Sequence, residues 1–199
     1  MTVSVRCVVM AGVARQPVLA TARLLAEAAL LAGLDVSLSE CPSPAAWNGP
    51  LSVHVRLGDE VHSPLVRERE ADILVGFEQL EALRAAHLLA PHGFAVVNEL
   101  LLPTWRMRAG LDRAPDVMAR LTAATPRVVV VPTESPVWTL GGEPHIGLVL
   151  LGVVSPLLPV PEHAYQAVLT ASGAADLEAR RAALRRGREL FATTTQRAI

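Results

Sequence analysis

The residues whose types and spacing could do chemistry concentrate in the first 65 positions of this 199-residue chain. The run Gly12-Val13-Ala14-Arg15-Gln16-Pro17 follows an apolar stretch and precedes a helical pattern. A turn of that kind can present free N–H groups to an anion, with Arg15 supplying charge, Gly12 the close backbone approach, and Gln16 a further candidate contact. The same residues also serve as a purely structural strand-to-helix turn. A lone glycine is a weak phosphate signal and Pro17 removes one N–H donor, so the structural turn is favoured. Glu40 closes the second apolar stretch, where an acid can hold ribose hydroxyls, bond its own loop, or pair with Arg56. Trp47 and Asn48 sit in a loop flanked by Gly49 and Pro50, where a Trp can anchor an interface or fold back onto the body. His54 and Arg56 alternate with Leu51, Val53, Val55 and Leu57 and so share one strand face. That face can meet a partner subunit or a ligand; a solvated strand face is the commoner case.

Other chemistries are excluded by composition. All 18 basic residues are Arg, which removes Schiff-base, pyridoxal-phosphate and P-loop lysine chemistry. Two cysteines cannot hold an iron–sulfur cluster alone; Cys7 reads as a small core residue and Cys41 as an accessible loop thiol. The six His form no i, i+4 pair and accompany no C-x-x-C, so no metal site is expected. Ser63, Ser135 and Ser155 precede prolines and none lies in a G-x-S-x-G elbow, and no catalytic residue is assigned. A net charge of −1 argues against nucleic acid. In the terminal segment, Arg180, Arg181, Arg185, Arg186 and Arg188 are interleaved with Asp176, Glu178 and Glu189, as on a solvated helix face. No signal-peptide pattern is present. The longest apolar run, Ile146–Val160, is broken by Pro156 and Pro159 and falls short of the roughly 20 residues a membrane span needs. The expectation is a cytoplasmic, reduced protein with no membrane partner.

The elements that must position these residues follow from periodicity. A continuous apolar strand is expected at Val3–Val9, a turn at Gly12–Gln16, and a helix at Val18–Ala32 ended by Gly33. A strand at Asp35–Ser39 leads into a loop, Glu40–Pro50. Leu51–Leu57 then reads as the first arm of a hairpin that turns at Gly58-Asp59 and returns from Val61. Further strands are expected at Asp72–Phe77, Phe94–Asn98 and Val128–Val131. Helices are expected at Glu78–Leu89, Pro115–Thr125, His145–Leu158, Pro161–Ala171 and, charged and terminal, 174–192. Glu99–Ala114 carries mixed signals and reads as irregular or a flap. Gly147–Val154 is apolar on all sides and must be covered by its own domain or by another chain. Alternating strands and helices without a linker argue for a single domain over 1–199. Its class is α/β: Rossmann-like and doubly wound, a mostly parallel sheet with helices on both faces and a β-hairpin insertion.

The residues also resemble one family. Leu25-Ala26-Glu27-Ala28-Ala29-Leu30-Leu31-Ala32-Gly33, the strand ending Ser39-Glu40, and His54-Val55-Arg56-Leu57-Gly58 followed by Ser63-Pro64 are similar to the gamma-type subunit of the 2-oxoacid:ferredoxin oxidoreductases. That family includes the small subunit of indolepyruvate:ferredoxin oxidoreductase. Two loops depart from its pattern. Gly12 and Gln16 match a G-x-G-G-Q-G turn, whereas Ala14, Arg15 and Pro17 replace glycines; Ala46, Trp47, Asn48, Gly49 and Pro50 stand where the family has Gln, Arg, Gly, Gly and Ser. The resemblance implies a subunit of a thiamine-diphosphate-dependent complex that oxidatively decarboxylates a 2-oxoacid, an arylpyruvate included, to an acyl-CoA with ferredoxin as acceptor. It implies thiamine diphosphate, Mg²⁺, iron–sulfur clusters and CoA in the complex and no cofactor in this chain. The implied partner is a large thiamine-diphosphate and iron–sulfur subunit, in a hetero-oligomer or a homodimer. On that reading the chain supports assembly and active-site access and is inactive alone. The altered loops keep an alternative open, a repurposed binding or scaffold domain; a stand-alone nucleotide-binding enzyme is opposed by the missing glycines.

Overall fold

A computed structural model describes residues 3–42, 49–132 and 145–196. The chain runs β1 (Arg6–Val13), α1 (Val18–Leu31), β2 (Asp35–Pro42), β3 (Pro50–Gly58), β4 (Ala71–Gly76), α2 (Gln79–Ala85), β5 (Leu89–Asn98), α3 (Trp105–Arg108), α4 (Val117–Ala124), β6 (Val128–Val131), α5 (Ile146–Val154), α6 (Glu162–Ala171) and α7 (Leu177–Gln196). Six strands form one sheet in the order β2-β3-β1-β4-β5-β6. β1, β4, β5 and β6 pair in parallel, while β3 lies antiparallel between β1 and β2. Five of the six strands therefore point one way, and the mostly parallel α/β sheet read from the sequence is the one observed.

The hairpin is not where the periodicity placed it. β3 has β1 on one edge and β2 on the other, so no edge remains for a strand returning from Val61. The hairpin arms are β2 and β3, in register from Asp35↔Gly58 to Pro42↔Leu51. The chain after Gly58 instead ties itself to the sheet end. Val3 N donates to Asp59 Oδ2 at 2.7 Å and Val61 N to Asp35 Oδ2 at 2.8 Å. Pairing with β3 also carries β1 through Gly12 and Val13, which face Leu51 and Pro50. β2 likewise reaches Glu40 and Cys41, so Cys41 is a half-buried strand residue and not a loop thiol.

Alternation along the strands divides the core in two. On the first face, Val8 and Met10, Val53 and Val55, Ile73 and Val75, and Phe94 and Val96 meet α1, α5, α6 and α7. Every residue of α5 is buried. Its apolar circumference is covered by α7 and the sheet, so its own chain supplies the cover. The α5–α7 crossing is a glycine contact: a Cβ on Gly152 would lie 2.9 Å from Gly187 Cα, and one on Gly187 would overlap Val149 O. On the second face, Cys7, Val9, Ala11 and Leu74 pack under Val66 and Ala85, and Val97 packs under Leu80, Ala82, Val117 and Leu121. The crossover β1–α1–β2 runs over the first face and β4–α2–β5 over the second. The adjacent C-terminal ends of β1 and β4 are thus a topological switch point, where open α/β sheets form a crevice.

Candidate functional site at the C-terminal edge of the sheet

Three strand ends are stitched together at this switch point. Phe77, the residue after β4, donates its N–H to Ala11 O at 2.8 Å. Its carbonyl accepts from Gln16 Nε2 at 3.0 Å and from Asn98 Nδ2 at 3.1 Å. Gln16 Oε1 accepts in turn from Val13 N at 2.9 Å, so this side chain closes the first turn and bridges it to β4. Gly12 is required by packing: a Cβ there would sit 2.6 Å from Gln16 Oε1, 2.8 Å from Val18 Cγ2 and 2.9 Å from Phe77 Cβ. Pro17 caps α1 without a side-chain bond. Arg15 is exposed and makes no ion pair among the described residues. Gln16, Val18 and Phe77 close tightly around Gly12, so the first turn is packed against the end of β4.

One residue further on, Glu78 is 1 % exposed. Its Oε2 accepts from Glu81 N at 2.9 Å, capping α2, and its Oε1 accepts from Leu102 N at 2.7 Å. Burial pushes its carboxyl above the usual carboxylate range, and the backbone donors at Leu102 and Glu81 act against that rise. Glu81 is also buried and pushed up by desolvation, opposed by its ion pair with Arg84. Gln79 adds bonds from its Nε2 to Glu99 O at 2.6 Å and from its N to Leu100 O at 2.9 Å. The chain leaving β5 is therefore fastened to the start of α2 at residues 99, 100 and 102. Beside it, Cys41, Leu51, Ser52, Arg84, His87 and Leu88 line an open groove of about 230 Å³.

The other expected residues fall elsewhere. Glu40 is exposed and 3.7 Å from Arg23, not paired with Arg56. Trp47 and Asn48 lie outside the described residues. His54 and Arg56 share the second face as the alternation requires, but that face is not solvated. His54 is 6 % exposed and its Nδ1 accepts from Val66 N at 3.1 Å, which places the ring proton on Nε2. Burial lowers its pKa. Arg56 donates to Glu70 Oε1 at 3.1 Å and Leu65 O at 3.3 Å. Both residues thus fasten the chain between β3 and β4 across the second face. The structure brings Gly12 and Gln16 together, and separately His54 and Arg56, but not the two pairs into one site. Phe77, Glu78 and Asn98 escape sequence reasoning. No cap signal marks Glu78, because Glu is not among the residue types preferred at a helix N-cap.

Among the described residues no three His, Cys, Asp or Glu are grouped to hold a metal. Cys7 is buried in β1 and Cys41 half-buried in β2, a donor set that does not fit an iron–sulfur cluster. No described helix is long and apolar enough to cross a membrane.

The sequence model of the pyruvate ferredoxin/flavodoxin oxidoreductase family matches residues 7–190, nearly the whole sheet and its helices. The chain belongs to that family. Within this oxidoreductase family, it is similar to indolepyruvate oxidoreductase subunit IorB of Archaeoglobus fulgidus, 31% identical over 167 residues that cover 81% of this chain and 83% of the relative. The IorB of Pyrococcus horikoshii is 34% identical over 110 residues, 55% of this chain and 54% of the relative. The fold is that of pyruvate oxidoreductase subunit PORC of Thermotoga maritima, with a TM-score of 0.66, 21% identity and coverage of 95% and 97% of the two chains. It is equally that of the keto/oxoacid ferredoxin oxidoreductase gamma subunit of Geobacter sulfurreducens, with a TM-score of 0.67, 19% identity and coverage of 96% and 98%. Family membership makes this chain a subunit of the 2-oxoacid:ferredoxin oxidoreductase class.

Proposed function

We propose that this chain is the gamma-type, cofactor-free subunit of an oxidoreductase acting on an arylpyruvate. On this reading, thiamine diphosphate and the clusters reside in a larger partner, and the reaction forms an acyl-CoA with ferredoxin reduced. The similarity to IorB over 83% of that relative carries the substrate assignment. The donor sets of Cys7 and Cys41 and of the scattered His support the division of labour, because nothing in them suits a cluster or a metal. What this chain's own residues contribute is shape: Gln16, Phe77 and Asn98 lock the strand ends, Glu78 fixes the chain after β5, and the resulting edge is the surface offered to the partner's active site. The single domain over 1–199 and a location in the cytoplasm belong to the same proposal.

The test is co-expression with a candidate large thiamine-diphosphate subunit from the same source, anaerobic purification, and indolepyruvate-dependent reduction of ferredoxin or methyl viologen. The expected result is activity in the two-subunit preparation, none in either chain alone, and iron confined to the large chain. A specific observation favours a second reading: Arg15 and Pro17 remodel the first turn and Gln16 fills it. A chain that never associates with a large subunit, or a complex inert toward every 2-oxoacid, would establish the repurposed binding domain instead.

A further inference from the structure

The segment 104–113 carries a feature that the fold does not need. Met107 faces inward, packed beside Leu80, Val117 and Leu121. Trp105, two residues earlier, is 63% exposed, and Leu111 is 59% exposed. Both stand on a rigid base. Thr104 caps α3 by accepting from Met107 N at 3.3 Å. The helix ends with Gly110 at φ 71°, where Gly110 N donates to Met107 O at 3.0 Å and Leu111 N to Arg106 O at 2.9 Å. That pair of bonds is a Schellman closure, and the positive φ is why a glycine stands there. The Arg106 guanidinium lies 5.6 Å from the centre of the Trp105 ring, and Asp112 holds it by two bonds, of 2.7 and 3.2 Å. The base is anchored in turn through Leu102 to the buried carboxylate of Glu78.

Charge is also segregated here. Residues 104–120 hold four Arg and two Asp in a chain whose net charge is −1. Asp112 is committed to Arg106 and Asp116 to the cap of α4. Arg108, Arg113 and Arg120 are exposed and make no ion pair among the described residues. Trp and Arg are residue types that dominate binding energy at protein interfaces, and Trp105 stands on a turn whose backbone is already fixed by its caps, so little backbone entropy remains to be lost there on docking.

We infer that the turn 104–113 is a docking knob for an acidic surface of the partner subunit, with Trp105 entering an apolar pocket and Arg108, Arg113 and Arg120 meeting carboxylates around it. The inference rests on the subunit reading above and adds to it the surface and the chemistry of the contact. Nucleic acid and anionic membrane would also take a cationic patch. The interleaved Asp112 and Asp116, and the single aromatic, favour a protein surface, since a strand or bilayer rewards uninterrupted positive charge and several stacking rings.

The experiment uses the full chain and the purified large subunit of the same complex. Wild type, Trp105→Ala and the double variant Arg108→Glu/Arg113→Glu are compared by titration at low and moderate salt, with hydrogen exchange on the assembled complex. The expected results are at least tenfold weaker binding for each variant with unchanged thermal unfolding, wild-type affinity that falls with salt, a shallower salt dependence in the double variant, and protection of amides 105–111 on assembly. Variants that bind as wild type does, or amides 105–111 unprotected in the complex, overturn the docking knob and leave the subunit reading standing. Wild type that fails to bind the large subunit overturns both. Binding of single-stranded poly(U) or phosphatidylserine vesicles that is lost in the same two variants would reassign the patch to those ligands and overturn it as well.

Discussion

On the first face of the sheet, α5 and α7 approach until Gly152 and Gly187 touch backbone to backbone, with apolar side chains all round. On the second face, α2 is short and is seated by buried carboxylates, and the loops beside it are pinned by His54, Arg56 and Glu78. The first arrangement tolerates no added volume. The second is close-packed too, a Cβ on Gly76 falling 2.5 Å from Ala82 Cβ, and it depends besides on the protonation and partners of a few polar atoms. A packed apolar face makes a rigid platform, and the C-terminal edge of the sheet is fastened by the polar contacts of the second face.

The largest expected effect tests the packed face. Gly187→Ala places a Cβ on Val149 O and must part α5 from α7, at a cost of about 3 kcal/mol, the upper end for overpacking; urea denaturation reads it. A loss below about 0.5 kcal/mol, the range of a neutral surface change, would mean that the two helices are not close-packed.

Glu78→Ala tests the pinned face. It removes the acceptor of two backbone N–H groups, at Glu81 and Leu102, and should cost about 2 kcal/mol. Amide exchange at Leu102 should accelerate more than at any position in α5. The pH dependence has a definite sign. Glu78 has a folded pKa above its ordinary value, so its stabilising contribution is full below the ordinary carboxylate range and is lost as pH rises through the raised value. Glu78→Gln cannot ionise, so its stability relative to wild type should improve from acid toward neutral pH. A difference that stays flat with pH would show that burial does not raise the pKa of this carboxyl.

Gln16→Ala is a smaller probe of the seam between the faces. Val13 N loses its acceptor and Phe77 O one of its two donors, which should cost about 1 kcal/mol. If Gln16 instead serves a ligand in the complex, the variant will fold with full stability and lose activity, and the role of Gln16 as a structural bridge fails.

The smallest effect concerns His54. Its lowered pKa means that the neutral ring stabilises the fold above the ordinary histidine range, and that this contribution is lost as pH falls through the depressed value. Val66 N then faces a protonated Nδ1 and its exchange should quicken, for about 1 kcal/mol. Val66 exchange that does not respond to pH in this window would place the proton elsewhere.

The first face is the legible one. The α1 pattern fixes a buried stripe by periodicity, the all-apolar Gly147–Val154 demands cover on every side, and the resemblance carried by Leu25 to Gly33 agrees with the family match over 7–190. The second face is not. Alternation in Leu51–Leu57 reports that one side of a strand is apolar, but the other side reads the same whether water or a loop covers it, so His54 reads as a solvated position. Strand neighbours are equally silent in a local pattern, hence the misplaced hairpin. Glu78 merges into the helical pattern because its two backbone partners, one of them 24 residues away, leave no periodic trace.

The position of β3 has a consequence for synthesis. When the chain has emerged only through β2, β1 and β2 cannot pair, because their final places are separated by the width of one strand not yet made, a gap of roughly 10 Å between their axes. Both edges of β1 are then open, and its apolar residues wait on strands from later in the chain, β3 on one side and β4 on the other. Forming the local β2–β3 ribbon first, and docking it on β1 as a unit, closes one of the two edges in one step and leaves the other to β4. The nascent chain is therefore most prone to pairing with a stranger in the interval between the emergence of α1 and the arrival of Gly58, which is when a chaperone at the ribosome exit would have most to protect.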